Sequence, residues 1–258
     1  MNPKEAYIAV FDSGVGGISV LRHLVRLMPN ERFLYLGDSA NAPYGTRSRE
    51  EVRRLTFDAA AALQERGIKA LVVACNTATS AAINELRYAN PGLIVIGIEP
   101  ALKLASDRFP TGRIAVMATP MTLREQKFAA LMERCEGDRT IYKLPAPGLV
   151  ELIESGKADS PETDALLERL FGDLKGRLDA VVLGCTHYPF VAKALRRVLG
   201  PEVALLDGGE GTARETLRRL RLNGLLRDGE GSVTIENSSG RDDLLRLSRV
   251  LLRDGWIP

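Results

Sequence analysis

The feature that most constrains the fold is a regular alternation of short apolar runs with longer segments of helical periodicity. The apolar runs are mostly continuous rather than alternating, which is typical of strands covered by helices on both faces. This alternation predicts a parallel α/β fold. The predicted strands are Tyr7–Phe11, Arg32–Leu36, Ala70–Ala74, Leu93–Ile98, Ile114–Ala118, Thr140–Leu144, Ala180–Gly184 and Val203–Leu206. The predicted helices are Ile18–Leu27, Arg49–Arg66, Ala78–Tyr88, Thr122–Arg134, Pro161–Leu174 and Pro189–Leu199.

A weak internal repeat divides the chain into two similar parts. Four matches occur in the same order and at almost constant separation: Ile8-Ala9-Val10 with Ile114-Ala115-Val116, Tyr35 with Tyr142, Leu71–Thr77 with Val181–His187, and Pro91 with Pro201. The repeat predicts two similar parallel-sheet α/β lobes related by pseudo-twofold symmetry, with the active site between them. We expect residues 1–97 and 208–258 to form the first lobe and residues 98–207 the second.

Two cysteines lie at equivalent positions of this repeat, each at the end of a predicted strand. Ligands of open parallel sheets bind at the carboxyl ends of the strands, so Cys75 and Cys185 are expected to face each other. Each precedes polar residues and a helix, whose N-terminus favours the thiolate. A single cysteine at such a position is a buried structural residue about as often as a functional one. A pair at matched positions favours a catalytic role.

Two opposed thiols suit the inversion of a stereocentre. Proton transfer at a tetrahedral carbon needs a base on one face and an acid on the other, and the reverse direction exchanges these roles. A thiolate and a thiol meet this requirement, since the reference pKa of cysteine, about 8.5, lies near working pH. A cysteine hydrolase would need one thiol and a base-orienting partner.

Two further segments follow predicted strands at the same edge. Asp12-Ser13 opens a glycine-rich turn, Gly14–Gly17, whose backbone N–H groups could bind a substrate carboxylate. The alternative is a plain strand–helix turn capped by Asp12. A dinucleotide fingerprint is not formed, because its last glycine position is Ser19. The loop of residues 37–45 contains Tyr44, which offers a hydroxyl and an apolar ring.

The remaining histidine and cysteine residues have different predicted roles. His187 stands two residues after Cys185 and could act on its protonation, bind substrate, or be a structural histidine. His23 is expected on a helix surface, and Cys135, at a polar helix end without a repeat partner, is interpreted as incidental. No metal site is predicted, because Cys75, Cys185 and His187 lack a zinc spacing signature.

Charge and cysteine content limit the partners. A net charge of +2 and a pI near 8.4 give no reason to expect nucleic acid or a membrane as a partner. The basic segment Arg214–Arg227 is interpreted as the exposed face of an amphipathic helix. An N-terminus without signal-peptide architecture predicts a cytoplasmic location, where the three cysteines would be free thiols.

Taken together, these residues resemble the glutamate racemases of bacterial cell-wall synthesis, members of the aspartate/glutamate racemase family. The likeness extends over about residues 7–220. It rests on four motifs in order: Phe11-Asp12-Ser13-Gly14-Val15-Gly16-Gly17, Ala42-Pro43-Tyr44-Gly45, Ala74-Cys75-Asn76-Thr77 and Gly184-Cys185-Thr186-His187-Tyr188-Pro189. The loop departs from the family pattern at Ser39 and Asn41, where threonine and arginine are usual.

The resemblance implies a homodimeric enzyme that interconverts L- and D-glutamate without pyridoxal phosphate or metal and supplies D-glutamate for peptidoglycan. It implies that Cys75 removes the proton from D-glutamate and Cys185 from L-glutamate, assisted by Asp12 and His187. A supporting acidic position matches Glu151. The implied substrate-binding residues are Asp12, Ser13, Tyr44, Gly45, Asn76, Thr77, Thr186 and His187.

Two other functions are open to a chain with these residues. A racemase of the same family could act on aspartate or another amino acid, although the polar residues after the cysteines favour glutamate. A two-lobed binding protein could close on an amino acid without changing it, but paired thiols speak against that.

Overall fold

The computed structural model describes residues 2–98, 101–124 and 126–253. In chain order the strands are β1 (Tyr7–Asp12), β2 (Arg32–Gly37), β3 (Ile68–Val73), β4 (Ile94–Gly97), β5 (Arg113–Ala118), β6 (Thr140–Pro145), β7 (Ala180–Leu183), β8 (Ala204–Leu206) and β9 (Ser232–Asn237). The helices are α1 (Ile18–Leu27), α2 (Arg49–Glu65), α3 (Asn76–Ala89), α4 (Leu102–Arg108), α5 (Pro120–Arg124), α6 (Gln126–Glu136), α7 (Leu149–Glu154), α8 (Pro161–Phe171), α9 (Ala192–Leu199), α10 (Gly209–Leu222) and α11 (Asp242–Arg253).

The described residues divide into two compact units, residues 2–98 with 209–253 and residues 101–208. Each unit is built on one parallel sheet, so the prediction of two parallel-sheet α/β lobes is confirmed. No helix among the described residues is long and apolar enough to cross a bilayer.

The first unit has the strand order β4-β3-β1-β2-β9. Helix α1 packs against α10 and α11, while α2 packs against α3. The inner strands β1 and β3 are buried along nearly their whole length. This explains why they are continuous apolar runs, since both faces of an inner parallel strand meet helices.

The second unit has the order β6-β5-β7-β8 and a core on each side of the sheet. Successive residues of a strand point to opposite faces. Accordingly, Met117 and Val181 belong to a core that includes α7, α8 and α9 residues, whereas Val116 and Val182 belong to one that includes α4 and α6 residues. Cys135, which the sequence assigns to a polar helix end, is packed in the latter core.

The two sheets repeat one topology, because β4-β3-β1-β2 corresponds strand by strand to β8-β7-β5-β6. Their registers reproduce the repeat: Phe11 pairs with Val73 as Met117 pairs with Leu183. The sequence separation between Phe11 and Met117 equals that between Ile8 and Ile114. The separation between Val73 and Leu183 equals that between Cys75 and Cys185.

One predicted match is wrong by a residue. Tyr35 pairs with Val10, so its structural counterpart beside Val116 is Lys143, not Tyr142. A shift of one residue turns a side chain to the opposite face of the sheet.

The structure also adds elements that the sequence patterns did not identify: β9, α4, α7 and α11. The predicted helix Thr122–Arg134 falls on α5 and α6, and its Glu125 lies outside the described residues.

The basic helix is shorter than predicted, since α10 ends at Leu222. Gly224 adopts a left-handed φ of 64°, and the Leu225 N–H donates back to the Leu220 carbonyl. Exposed arginines of α10 form ion pairs with Glu210 and Glu215. Arg227, by contrast, lies outside the helix and contacts Glu5 with its half-buried side chain.

Candidate active site

Cys75 lies where β3 gives way to α3. It is the N-cap residue of α3, and its Sγ accepts a hydrogen bond from the Ala78 N–H at 3.5 Å. The Ser13 Oγ lies 3.5 Å from the same sulfur. Only 5% of Cys75 is exposed. The helix N-terminus and the two hydrogen-bond partners are groups that favour the thiolate form of a cysteine.

Asp12 is the last residue of β1 and is completely buried. Its Oδ1 accepts a hydrogen bond from the Gly14 N–H at 3.0 Å, so the carboxylate closes the turn that carries Ser13. A side chain at Gly17 would place its Cβ 2.6 Å from the Cβ of Asp12. Glycine at this position is therefore what allows helix α1 to begin directly against the carboxylate. Asp12 thus holds the turn that carries Ser13, whereas the N-cap residue of α1 is Gly17, which forms no side-chain cap.

The loop after β2 holds Tyr44 through Asp38. The Tyr44 hydroxyl donates to Asp38 Oδ2 at 2.6 Å, and its ring centroid lies 6.3 Å from that of Phe11. Burial raises the pKa of Tyr44, and the hydrogen bond to Asp38 and the nearby charges of Asp38, Cys75 and Asp12 raise it further. Tyr44 is therefore a protonated donor. Its proton is directed at Asp38, which the sequence patterns did not identify as a site residue.

The remaining predicted residues of this unit line the same end of the sheet. Gly45 lies in the short 3-10 turn Tyr44–Thr46. Asn76 and Thr77 form the buried first turn of α3, directly after Cys75. The first unit thus brings Asp12, Ser13, Tyr44, Gly45, Cys75, Asn76 and Thr77 to the carboxyl ends of β1, β2 and β3.

Cys185 follows β7 after a single glycine, at the corresponding strand end of the second unit. Its Sγ lies 3.7 Å from Nδ1 of His187, and Nε2 of His187 lies 2.9 Å from Oε1 of Glu154. Cys185, Thr186 and His187 are all buried.

The pKa of His187 reflects two opposing causes. Burial lowers it, but the hydrogen bonds to Cys185 and Glu154, together with their charges, outweigh burial and hold the pKa well above its ordinary range. Cys185, His187 and Glu154 therefore form a relay of contacts, in which the imidazole lies between a cysteine sulfur and a carboxylate and both neighbours favour its protonated form.

The structure places the acidic partner differently from the sequence analysis. Glu151 is exposed in the first turn of α7, and the carboxylate that contacts His187 belongs to Glu154 at the end of that helix. The sequence itself shows two acidic residues, Glu151 and Glu154, three positions apart. The helix itself was not predicted, so nothing in the sequence indicated which acid turns towards His187.

The described residues contain no cluster of three or more His, Cys, Asp or Glu side chains suited to a metal ion. Each unit has one buried cysteine at a strand end with its own polar neighbours, which are Ser13 and a helix N-terminus for Cys75 and His187 for Cys185.

The known proteins that resemble this chain in sequence and in fold are racemases. Residues 8–216 match the model of the Asp/Glu/hydantoin racemase family. A glutamate racemase of Clostridium botulinum (strain Alaska E43 / Type E3) is 49% identical over 255 residues, which cover 98% of this chain and 99% of the relative.

Two solved structures are similarly close in fold. Glutamate racemase from Thermus thermophilus, solved with β-chloro-D-alanine, has a TM-score of 0.83 and 38% identity and covers 96% of this chain and 93% of its own. Escherichia coli glutamate racemase, solved with L-glutamate and the activator UDP-MurNAc-Ala, has a TM-score of 0.85 and 30% identity, with 96% and 95% coverage.

Proposed function

The chain belongs to the Asp/Glu/hydantoin racemase family, and on that premise we propose that it interconverts L- and D-glutamate by proton transfer between two cysteines. The observation that carries the proposal is the equivalence of Cys75 and Cys185. Each follows the third strand of a repeated sheet and lies beside groups that stabilise a thiolate.

In the proposed reaction one cysteine is a thiolate and the other a thiol. The thiolate takes the α-proton from one face of the amino acid, and the thiol gives its proton to the opposite face of the resulting carbanion. The stereocentre is inverted, and the two cysteines have exchanged protonation states. Both proton transfers are made by side chains of the chain itself, so the proposal includes neither pyridoxal phosphate nor a metal ion.

The two thiols have different partners, which supports different directions of catalysis. Cys75 would act on D-glutamate, with Asp12 and Ser13 beside it. Cys185 would act on L-glutamate, and the relay from Glu154 through His187 would stabilise its thiolate. General acid–base groups of this kind contribute about 10²–10⁴-fold each to a rate.

Substrate binding is assigned to polar groups at the strand ends: Asp12, Ser13, Tyr44, Gly45, Asn76, Thr77, Thr186 and His187. Glutamate as substrate is supported by the relatives, which are named glutamate racemases. Racemisation of aspartate or another amino acid is the alternative within the family.

We further propose a cytoplasmic homodimer that supplies D-glutamate for peptidoglycan. Three free cysteines among the described residues agree with a reducing compartment. Light scattering after gel filtration would test the dimer, because a mass near 28.1 kDa would contradict it.

The test is α-proton exchange in heavy water, followed by NMR and by chiral separation of the products. Wild type should place deuterium at the α-carbon of glutamate and produce its enantiomer, with aspartate tested in parallel. Cys75→Ser and Cys185→Ser should each abolish racemisation. Cys135→Ala is the matched control, since this third thiol is packed in a core of the second unit. Full activity in either serine variant, or activity that requires pyridoxal phosphate, would contradict the mechanism.

A further inference from the structure

The loop that carries Tyr44 and Gly45 is bound to a turn near the other end of the chain. Strand β9 lies parallel to β2 at the edge of the first sheet and ends at Asn237, opposite Gly37. The turn that follows, Asn237–Ser239, therefore emerges beside the start of the loop. We call this segment the β9 turn.

Ser238 makes two contacts with the loop through one hydroxyl. Its Oγ donates to Asp38 Oδ1 at 2.7 Å and accepts from the Ala40 N–H at 3.0 Å. Asp38 also accepts from Tyr44 and from the Asn41 amide. Ser238 thus fixes one carboxylate oxygen, while the Tyr44 hydroxyl is held by the other.

Asn237 provides a second connection. Its Nδ2 donates to Ser39 Oγ at 2.8 Å, and its Oδ1 accepts from the backbone and hydroxyl of Ser239, which sets the direction of the amide. The loop departs from the family pattern at Ser39 and Asn41: Ser39 accepts from Asn237, and Asn41 donates to Asp38 within the loop.

We infer that Ser238 is a positioning residue for the substrate loop, acting through Asp38 on Tyr44. The inference rests on the proposed function, in which Tyr44 and Gly45 bind glutamate. Fixing a loop before the substrate arrives lowers the ordering cost of binding. Removing the Ser238 hydroxyl should therefore weaken binding rather than slow the proton transfers at the two cysteines.

The experiment compares Ser238→Ala with wild type in two measurements. Racemisation kinetics should show the KM for glutamate raised roughly three- to tenfold, with kcat within about twofold, as expected for a lost hydrogen bond that water partly replaces, because Ser238 is exposed. Hydrogen exchange should show faster exchange of the amides of residues 38–45. Ser238→Thr, which keeps the hydroxyl, should restore both values towards wild type.

Two more variants separate the loop contact from general effects. Ser39→Ala removes the Asn237 contact from the loop side and should change both measurements in the same direction. Ser232→Ala makes the same chemical change at the exposed opposite end of β9 and should leave both unchanged.

Wild type that is inactive towards glutamate would refute the proposed function, and hydrogen exchange would still test the loop contact. Unchanged exchange in Ser238→Ala, a fall in kcat with unchanged KM, or failure of threonine to restore the loop would overturn the inference.

Discussion

Replacing Glu154 by glutamine tests the relay behind Cys185. Glutamine keeps the shape and one hydrogen bond to His187 but removes the charge 2.9 Å from Nε2. A charge-assisted hydrogen bond contributes about 1.5–3 kcal/mol and a neutral one about 0.5–1.5 kcal/mol, so the imidazolium should lose roughly 1–1.5 kcal/mol. The Glu154 side chain is only 22% exposed, so solvent screening reduces this difference little.

This loss has two measurable consequences. The pKa of His187 should fall towards its ordinary range, since only the protonated imidazole loses this stabilisation. The less stable imidazolium supports less Cys185 thiolate, so kcat/KM for glutamate should fall roughly five- to tenfold. The fall must be equal in both directions, because two enantiomers have an equilibrium constant of one.

The assay is an NMR titration of the imidazole protons combined with racemisation kinetics. The chain has only two histidines, His23 and His187, so their signals can be assigned with one His23→Gln variant. Glu151→Gln is the matched control, as it removes the same charge from the same helix at an exposed position. An equal loss in both glutamine variants, or an unchanged His187 pKa in Glu154→Gln, would refute the relay.

The raised pKa of His187 also fixes the sign of a stability effect. A group whose pKa is higher in the folded state stabilises it fully below its unfolded pKa, about 6.5 for histidine, and this contribution disappears as pH rises through the folded pKa. Glu154→Gln should therefore cost more unfolding free energy at about pH 6 than above the His187 titration. Urea denaturation at the two pH values measures this, and a larger cost at the higher pH would contradict the assignment.

Two further predictions concern stability and are measured by urea denaturation. Lys69 is buried and its Nζ donates to the carbonyls of Lys4 and Leu225 and pairs with Glu31 at 2.6 Å. Lys69→Met should cost about 3–5 kcal/mol, and the double variant with Glu31→Leu should recover only part of it, because the uncompensated buried charge is then gone but the Arg227 N–H loses its acceptor on Glu31. At Gly184 a Cβ would lie 2.7 Å from the Met117 carbonyl oxygen, so Gly184→Ala should cost about 1–3 kcal/mol, and a neutral result would contradict the close approach.

Local patterns in the sequence were sufficient to predict the features that depend on periodicity, which are the inner strands and the internal repeat. Inner parallel strands are buried on both faces, so they read as continuous apolar runs, and the inner strands β1, β2, β3, β5 and β7 were predicted from such runs. The repeat also located Cys75 and Cys185 at equivalent strand ends, since its nearly constant separation survives in the registers of both sheets. Edge strand β9 is largely exposed, so its sequence lacks that signal.

The tertiary structure decided which side chains meet. Only strand register distinguishes Lys143 from Tyr142 as the counterpart of Tyr35, because one residue changes the face. Helix rotation and packing select Glu154 rather than Glu151 as the partner of His187. The pairing of Ser238 with Asp38 joins segments from opposite ends of the chain. Such contacts depend on the positions of whole elements in space, which no local pattern encodes.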